Sequence, residues 1–321
     1  MTPAGEFLRD EIARKGPILF HRFMHVALYH PDLGYYRQRD PFGKSGDFFT
    51  AAQLQPVFGI LIASAIRTLQ AELGRPADFM VIDLGAGRGE MAEAFSQWRY
   101  LAVDVGRGEL PVKFTGVVFA NEFFDALPVD VAVRRGNRFH MLRVGLKNER
   151  FVWIEAEEPS SRSGEYLTRY GRSIGEGERM EIALDALSWM DRVAASLRAG
   201  YLMMIDYGYT TRELARFPQG TLMSYRRHAA HEDVLEQPGE QDITAHVPFT
   251  AMEDQAAAAG LRLVKFERLA ATLLAAGEED RFAAALGASN EAEESRRRLQ
   301  LKTLLFGMGE TFRTLLLRKG Q

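Results

Sequence analysis

The 321-residue chain has no cysteine, which removes disulfides, zinc–thiolate sites, iron–sulfur clusters and cysteine nucleophiles in one step. It also lacks an excess of either charge. Its 40 lysines and arginines face 43 aspartates and glutamates, for a net charge of -3, so no basic surface asks for a phosphate backbone and no nucleic-acid partner is expected. No stretch approaches the ~20 apolar residues that span a bilayer. Residues 1–15 mix Glu6, Arg9, Asp10, Glu11 and Arg14 with apolar residues and lack the basic start and apolar run of a signal peptide. Membrane insertion is therefore not expected, and the cytoplasm is the expected location. His21, His25 and His30 come nearest to a metal set, with His21 and His25 at i, i+4 spacing. No third ligand stands at a recognised spacing, so no metal is expected.

What is present is enough apolar chain, 46% of residues, for one large α/β domain with insertions. Residues 5–30 read as two short helices broken at Gly16 and Pro17, residues 31–50 as a loop, and 53–73 as a long helix. Strands are expected at 79–84, 100–105, 116–120, 180–184 and 201–205, with helices at 90–98 and 186–197. This alternation favours a mainly parallel, doubly wound sheet. Residues 131–133, 139–144 and 151–155 look like an antiparallel insertion, and 157–177 like a polar surface loop. A helix at 249–259, a strand at 261–267, a charged helix at 291–301 and an edge strand at 311–317 close the chain. The expected fold is α/β and Rossmann-like, with an N-terminal helical cap and cofactor-covering loop over residues 1–75. The core follows over 76–321, carrying an antiparallel β insertion at about 129–178 and a C-terminal extension.

The densest motif is Asp83, Leu84, Gly85, Ala86, Gly87, Arg88, Gly89, between a strand and an expected helix. Glycines there let the chain turn tightly and let a ligand approach the main chain, while a helix start offers unpaired N–H donors. The spacing G-x-G-x-G is tighter than the G-x-G-x-x-G that cradles a dinucleotide pyrophosphate. Asp83 would repel a pyrophosphate but suits an ammonium group, which S-adenosylmethionine has and a nicotinamide dinucleotide lacks. Asp104, nineteen residues after Gly85 at the end of the next strand, can accept hydrogen bonds from both ribose hydroxyls. Asp83, Gly85, Ala86, Gly87, Gly89 and Asp104 are accordingly the expected cofactor contacts, with an empty tight turn as the alternative.

A second constellation, Asn121, Glu122, Phe123, Phe124, Asp125, Ala126, Leu127, Pro128, follows another strand. Ligands of doubly wound sheets lie beyond the carboxyl ends of strands, which would put Asn121 and Glu122 beside the methyl donor. A helix cap at Asn121 is an equal alternative on spacing alone.

With Phe23 and Met24, Gly34 to Tyr36, Gly46 to Phe48, Ile205 to Gly208, Asp242 to Val247 and Met308 to Glu310 in the same order, the chain resembles the MidA family over residues 7–317. The mitochondrial members of that family are arginine methyltransferases assisting respiratory complex I assembly. The resemblance implies S-adenosyl-L-methionine as cofactor, a protein substrate such as a complex I subunit, and Asp47 in a loop that closes on the cofactor. Arginine as acceptor is demanding, because its guanidinium stays protonated at neutral pH. Carboxylates must hold its plane and leave one nitrogen free. Glu122 is the first candidate, Asp206 and Asp242 are possible second partners, and Tyr207 could stack on the guanidinium. Turns at Asp206 to Gly208 and at Asp242 are the plain alternatives. His246, in an apolar stretch, is expected to be a buried structural histidine.

Two departures stand out. Only residues 105–120 separate Asp104 from Asn121, too few for the helix, third strand and loops that family members carry there and that normally supply the adenine pocket. Pro248 stands where the family tends to have Asp. Two alternatives to an arginine methyltransferase follow: a weak or inactive binding or assembly factor with this fold, and a small-molecule methyltransferase.

Overall fold

Short apolar runs bounded by turn residues become the strands of a six-stranded sheet in the computed structural model, which describes residues 2–38, 54–226 and 229–320. The chain divides into two units. The first comprises Thr50–Phe124, Trp189–Tyr207 and Met252–Gln321, the second Met1–Phe49, Asp125–Ser188 and Gly208–Ala251.

The first unit holds the large sheet: β1 (Met80–Leu84), β2 (Arg99–Val103), β3 (Phe114–Asn121), β4 (Leu197–Asp206), β5 (Leu261–Arg268) and β6 (Arg313–Lys319). The order is β5-β6-β4-β3-β1-β2. β2, β1, β3 and β4 run parallel, and β6 runs antiparallel to β4 and β5. Val81, Val117, Phe119, Tyr201, Met203 and Ile205 share one core cluster with Phe58, Leu61, Ile62, Ile66 and Leu69 of α1 (Val57–Glu72) and Leu269 and Leu273 of α2 (Leu269–Glu278). The α1 positions recur every three or four residues, one helical face. Burying each such side chain contributes about 1.5–3 kcal/mol.

The second unit is built on an antiparallel sheet in which Ile18–Leu19, Arg138–Lys147, Asp130–Arg135 and Arg179–Ile182 are neighbours in that order, with Arg150–Glu155 on Arg138–Lys147. Helix Pro3–Lys15 starts at Thr2, whose hydroxyl accepts the Gly5 amide at 3.0 Å, and stops at Gly16, where φ is +80°. Helix Phe20–Tyr29 buries Phe23, Met24, Ala27 and Leu28, the face its spacing predicts. A smaller three-stranded sheet joins Met223–Arg226, Ala229–His231 and Asp242–Thr244. Among the described residues no helix is long and apolar enough to cross a membrane.

The α/β class and most strands are as expected, and four local expectations need correction. Residues 90–98 form a chain of turns rather than a helix, with bonds such as Ala92 N–H to Gly89 O at 2.9 Å and Trp98 N–H to Phe95 O at 3.0 Å. Met91 and Phe95 are buried at helical spacing, but Gly89 in the left-handed region at φ +86° turns the chain before a helix can start. Arg179–Ile182 pairs antiparallel with Asp130–Arg135 in the second unit and takes no place in the parallel sheet. The polar stretch 157–177 contains helix Ser161–Tyr170, which buries Tyr166, Leu167 and Tyr170 along one face. β6 is an interior strand between β5 and β4, and Thr314 to Leu317 are buried without alternation, the pattern of a strand covered on both faces.

Candidate functional site

The chain leaves β1 for the edge strand β2, then returns to β3 on the other side of β1. Ligands of open α/β sheets bind outside the carboxyl ends of strands where the order reverses in this way. Here those ends carry the glycine loop after β1 and Asn121 and Glu122 after β3.

Gly85, Gly87 and Gly89 have φ of +77°, +54° and +86°, all in the region that side chains avoid. A Cβ on Gly85 would also stand 2.8 Å from the Phe123 ring, so the two segments meet where only glycine fits. The loop amides are already engaged. Gly85 N–H donates to Val103 O at 2.8 Å, Gly87 N–H to Asp104 Oδ2 at 2.6 Å and Gly89 N–H to Ala86 O at 2.7 Å. The three glycines therefore contribute close approach and curvature, and the expected row of free donors at a helix start is not formed. Ala86 between them is 6% exposed.

Asp104 follows β2 and accepts the Gly87 amide on Oδ2 and the Val105 amide on Oδ1, each at 2.6 Å. A carboxylate has about four acceptor positions, so capacity for two hydroxyls remains. Asp83, on β1, is 3% exposed and accepts the Tyr100 hydroxyl at 2.8 Å. Burial pushes its carboxyl up to about 7, with the Glu90 and Asp104 charges adding to the rise and the Tyr100 hydrogen bond and Arg107 opposing it. Tyr100 was not among the expected site residues. Its signal lay in strand alternation, because Tyr100 pairs with Val81 in the β1–β2 ladder and shares a face with Asp83.

After β3, Asn121 Nδ2 donates to Glu122 Oε1 at 3.1 Å, while the buried Asn121 Oδ1 accepts no hydrogen bond among the described residues. Glu122 has φ +51°, a left-handed conformation that is costly for a residue with a Cβ and concentrates at functional sites. Its own amide is tied to Ile205 O on β4 at 3.0 Å. Asp206, at the end of β4, is fully buried and receives the Phe124 amide on Oδ2 at 3.1 Å and the Tyr207 amide on Oδ1 at 2.9 Å. The Tyr207 ring packs edge-on against Phe312, centroids 5.4 Å apart.

The carboxyl ends of β1, β2, β3 and β4 thus gather Asp83, the glycine loop, Asp104, Asn121, Glu122, Asp206 and Tyr207 in one unit. Asp242 belongs to the other unit. It is 2% exposed and accepts the Tyr36 hydroxyl at 2.7 Å, and the Tyr36 ring stacks on Tyr29. His246 packs edge-on to Phe217, and burial lowers its pKa. Asp47, with Gly46 and Phe48, lies outside the described residues.

Comparison with known proteins gives three findings. Residues 97–267, just over half of the chain, match the model of the family described as "Putative S-adenosyl-L-methionine-dependent methyltransferase". Among curated relatives, the mitochondrial protein arginine methyltransferase NDUFAF7 of Homo sapiens is 24% identical over 383 residues, covering 97% of this chain and 82% of that protein. Its Drosophila melanogaster homologue is 24% identical over 310 residues, covering 75% and 67%. Among solved structures, a Burkholderia thailandensis protein bound to S-adenosyl-homocysteine has 29% identity and a TM-score of 0.88, covering 98% of this chain and 92% of that one. The relatives' names overturn the cytoplasmic expectation, since they are mitochondrial proteins.

Proposed function

Because this chain belongs to that family of S-adenosyl-L-methionine-dependent methyltransferases, and S-adenosyl-L-methionine is accordingly its cofactor, we propose that the methyl group goes to an arginine side chain of a protein. The acceptor assignment is supported by the activity in the curated relatives' names. The observation that carries it in this chain is Glu122, a carboxylate held at φ +51° beyond the end of β3 and beside the glycine loop.

The residues fit the cofactor. Asp83 is a buried acid whose hydrogen bond is to a neutral phenol, the complement of an ammonium group. Asp104 keeps acceptor capacity for ribose hydroxyls, Gly85, Ala86, Gly87 and Gly89 form a tight turn packed so closely on Phe123 that a Cβ at Gly85 would strike its ring, and Asn121 Oδ1 is a buried acceptor with no partner among the described residues. When bound, the cofactor supplies an electrophilic methyl on a sulfonium, and transfer is an in-line displacement that depends on alignment. Glu122 would accept hydrogen bonds from the guanidinium, localise its charge and turn one nitrogen toward the methyl. Asn121 would hold Glu122 in that pose through the Nδ2–Oε1 bond. Asp206, committed to the Phe124 and Tyr207 amides, would position this segment and the Tyr207 ring. Asp242 remains a proposed second carboxylate for the acceptor, and Asp47 a proposed cofactor contact. A complex I subunit is the proposed substrate class.

We also propose the division into a cap over 1–75 and a core over 76–321. The antiparallel strands Asp130–Arg135, Arg138–Lys147 and Arg150–Glu155 support an insertion near 129–178. The deciding experiment incubates purified protein with labelled methyl donor and mitochondrial or bacterial lysate, then hydrolyses the protein fraction. Label in methylarginine supports the assignment, and label confined to small molecules sinks it. The reading as a catalytically silent binding factor is favoured by one observation: β2 is the sheet's edge, with no strand beyond it among the described residues. Binding of S-adenosylhomocysteine without any transfer would favour that reading.

A further inference from the structure

We propose that Arg107 reads the adenine of the methyl donor, and that the tight turn from Asp104 to Arg107 replaces the crossover that residues 105–113 are too short to build. This rests on the methyl-donor reading of the glycine loop and Asp104.

The turn is closed in both directions. Asp104 N–H donates to Arg107 O at 2.7 Å, and Arg107 N–H donates to Asp104 O at 2.9 Å. Gly108 follows at φ +68°, and a Cβ there would collide with the Ala102 carbonyl, so the turn is pressed against the edge strand β2. From this turn Arg107 reaches back and donates from NH2 to Gly87 O at 3.1 Å, while Asp104 holds the Gly87 amide. Both backbone groups of the middle glycine are therefore held by one short turn.

Covalent chemistry places the base. Adenine is attached directly to the ribose whose hydroxyls Asp104 would hold, so it must lie against residues adjacent to Asp104. Among the described residues no strand stands beyond β2 to wall it in. Residues 105–113 contain no aromatic side chain, and Val112 is 88% exposed. The flat cation the segment offers is the Arg107 guanidinium, which is weakly hydrated and stacks well on ring faces. The Gly87 hydrogen bond restrains that plane in advance, lowering the cost of ordering it on binding.

Calorimetric titration with two ligands tests this: S-adenosylhomocysteine, and S-ribosylhomocysteine, which lacks the adenine. Arg107→Ala should weaken S-adenosylhomocysteine roughly tenfold, the scale of one stacked guanidinium, and leave S-ribosylhomocysteine within about twofold. Arg107→Lys keeps the charge without the plane and should behave like Arg107→Ala. Arg107 is exposed, so both variants should melt with the parent in the absence of ligand. Equal weakening of both ligands would make Arg107 a clamp on the loop or a partner of the homocysteine end, and overturns the proposal. Unchanged affinity for both, or a Lys variant equal to wild type, also overturns it. A wild-type protein that binds neither ligand overturns the methyl-donor reading, and this inference falls with it.

Discussion

Two buried acids lie at the carboxyl-end side of the same sheet and are partnered in opposite ways. Asp206, fully buried at the end of β4, receives the amides of Phe124 and Tyr207. Asp83, 3% exposed on β1, receives the hydroxyl of Tyr100 and is pushed up to about 7, chiefly by burial. Backbone amides stabilise a carboxylate and spend it on structure. A neutral phenol leaves most of the desolvation cost standing, which a ligand's cation can relieve. The contrast sorts two acids that look alike in sequence, one holding the segment after β3 and the other kept for a ligand.

The sharpest way to break this contrast is pH. The folded-state value of about 7 for Asp83 lies above its ordinary 3.8, so the folded state favours the protonated form. Its contribution to stability is fully present below the unfolded value and is lost as pH rises through about 7. The loss is on the order of 4 kcal/mol at most. Urea denaturation of ligand-free protein between pH 4 and 8 should show this decline, and Asp83→Asn should flatten it. An unchanged slope in the variant would mean that Asp83 is not the group responsible.

Next in size is Asp206→Ala, which removes the acceptor for two amides at a fully buried position and should cost roughly 3 kcal/mol of stability. A loss below about 0.5 kcal/mol would erase the distinction between the two acids. Cofactor binding sharpens it further. Below pH 7 Asp83 must give up its proton to meet an ammonium, so affinity for S-adenosylhomocysteine should fall by up to about tenfold per pH unit. Calorimetry in buffers of different ionisation enthalpy should register a proton released at pH 6, and Asp83→Asn should abolish that release. The smallest effect belongs to His21, raised by its hydrogen bond to Asp185. The two side chains are 38% and 42% exposed. The stabilisation of this pair is present below about pH 6.5 and fades as pH climbs through the raised value. Screening keeps it under about 1 kcal/mol. A His21→Ala denaturation series losing more than that would indicate a buried role.

Much of the site was legible because its parts are local. The glycine loop, Asp83 before it and Asp104 after the next strand sit within 22 residues, and turn chemistry and strand patterning act over that range. The shortness of 105–120 was legible in the same way, whereas the edge position of β2 among the described strands came from the structure. Local pattern failed where distant partners decide. Residues 90–98 carry helical spacing, yet Gly89 and the burial of Met91 and Phe95 settle for turns. Met180 and its neighbours read as one more strand of the parallel sheet, yet they pair with Asp130–Arg135, because an apolar run does not encode its partner. The roles of Tyr100, Arg107 and the strained Glu122 were equally hidden, since each depends on a contact between segments.

By itself, then, the sequence determined the α/β class, the tight glycine turn and the acids flanking it, through hydrogen-bond patterns and backbone preferences that neighbours in the chain decide. Only the tertiary structure decided which acid is spent on backbone amides and which on a phenol. It also turned the loop amides inward and folded a nine-residue connection back onto Gly87. Those choices rest on desolvation and on pairing between strands far apart in sequence, and both exist only once the sheet has assembled.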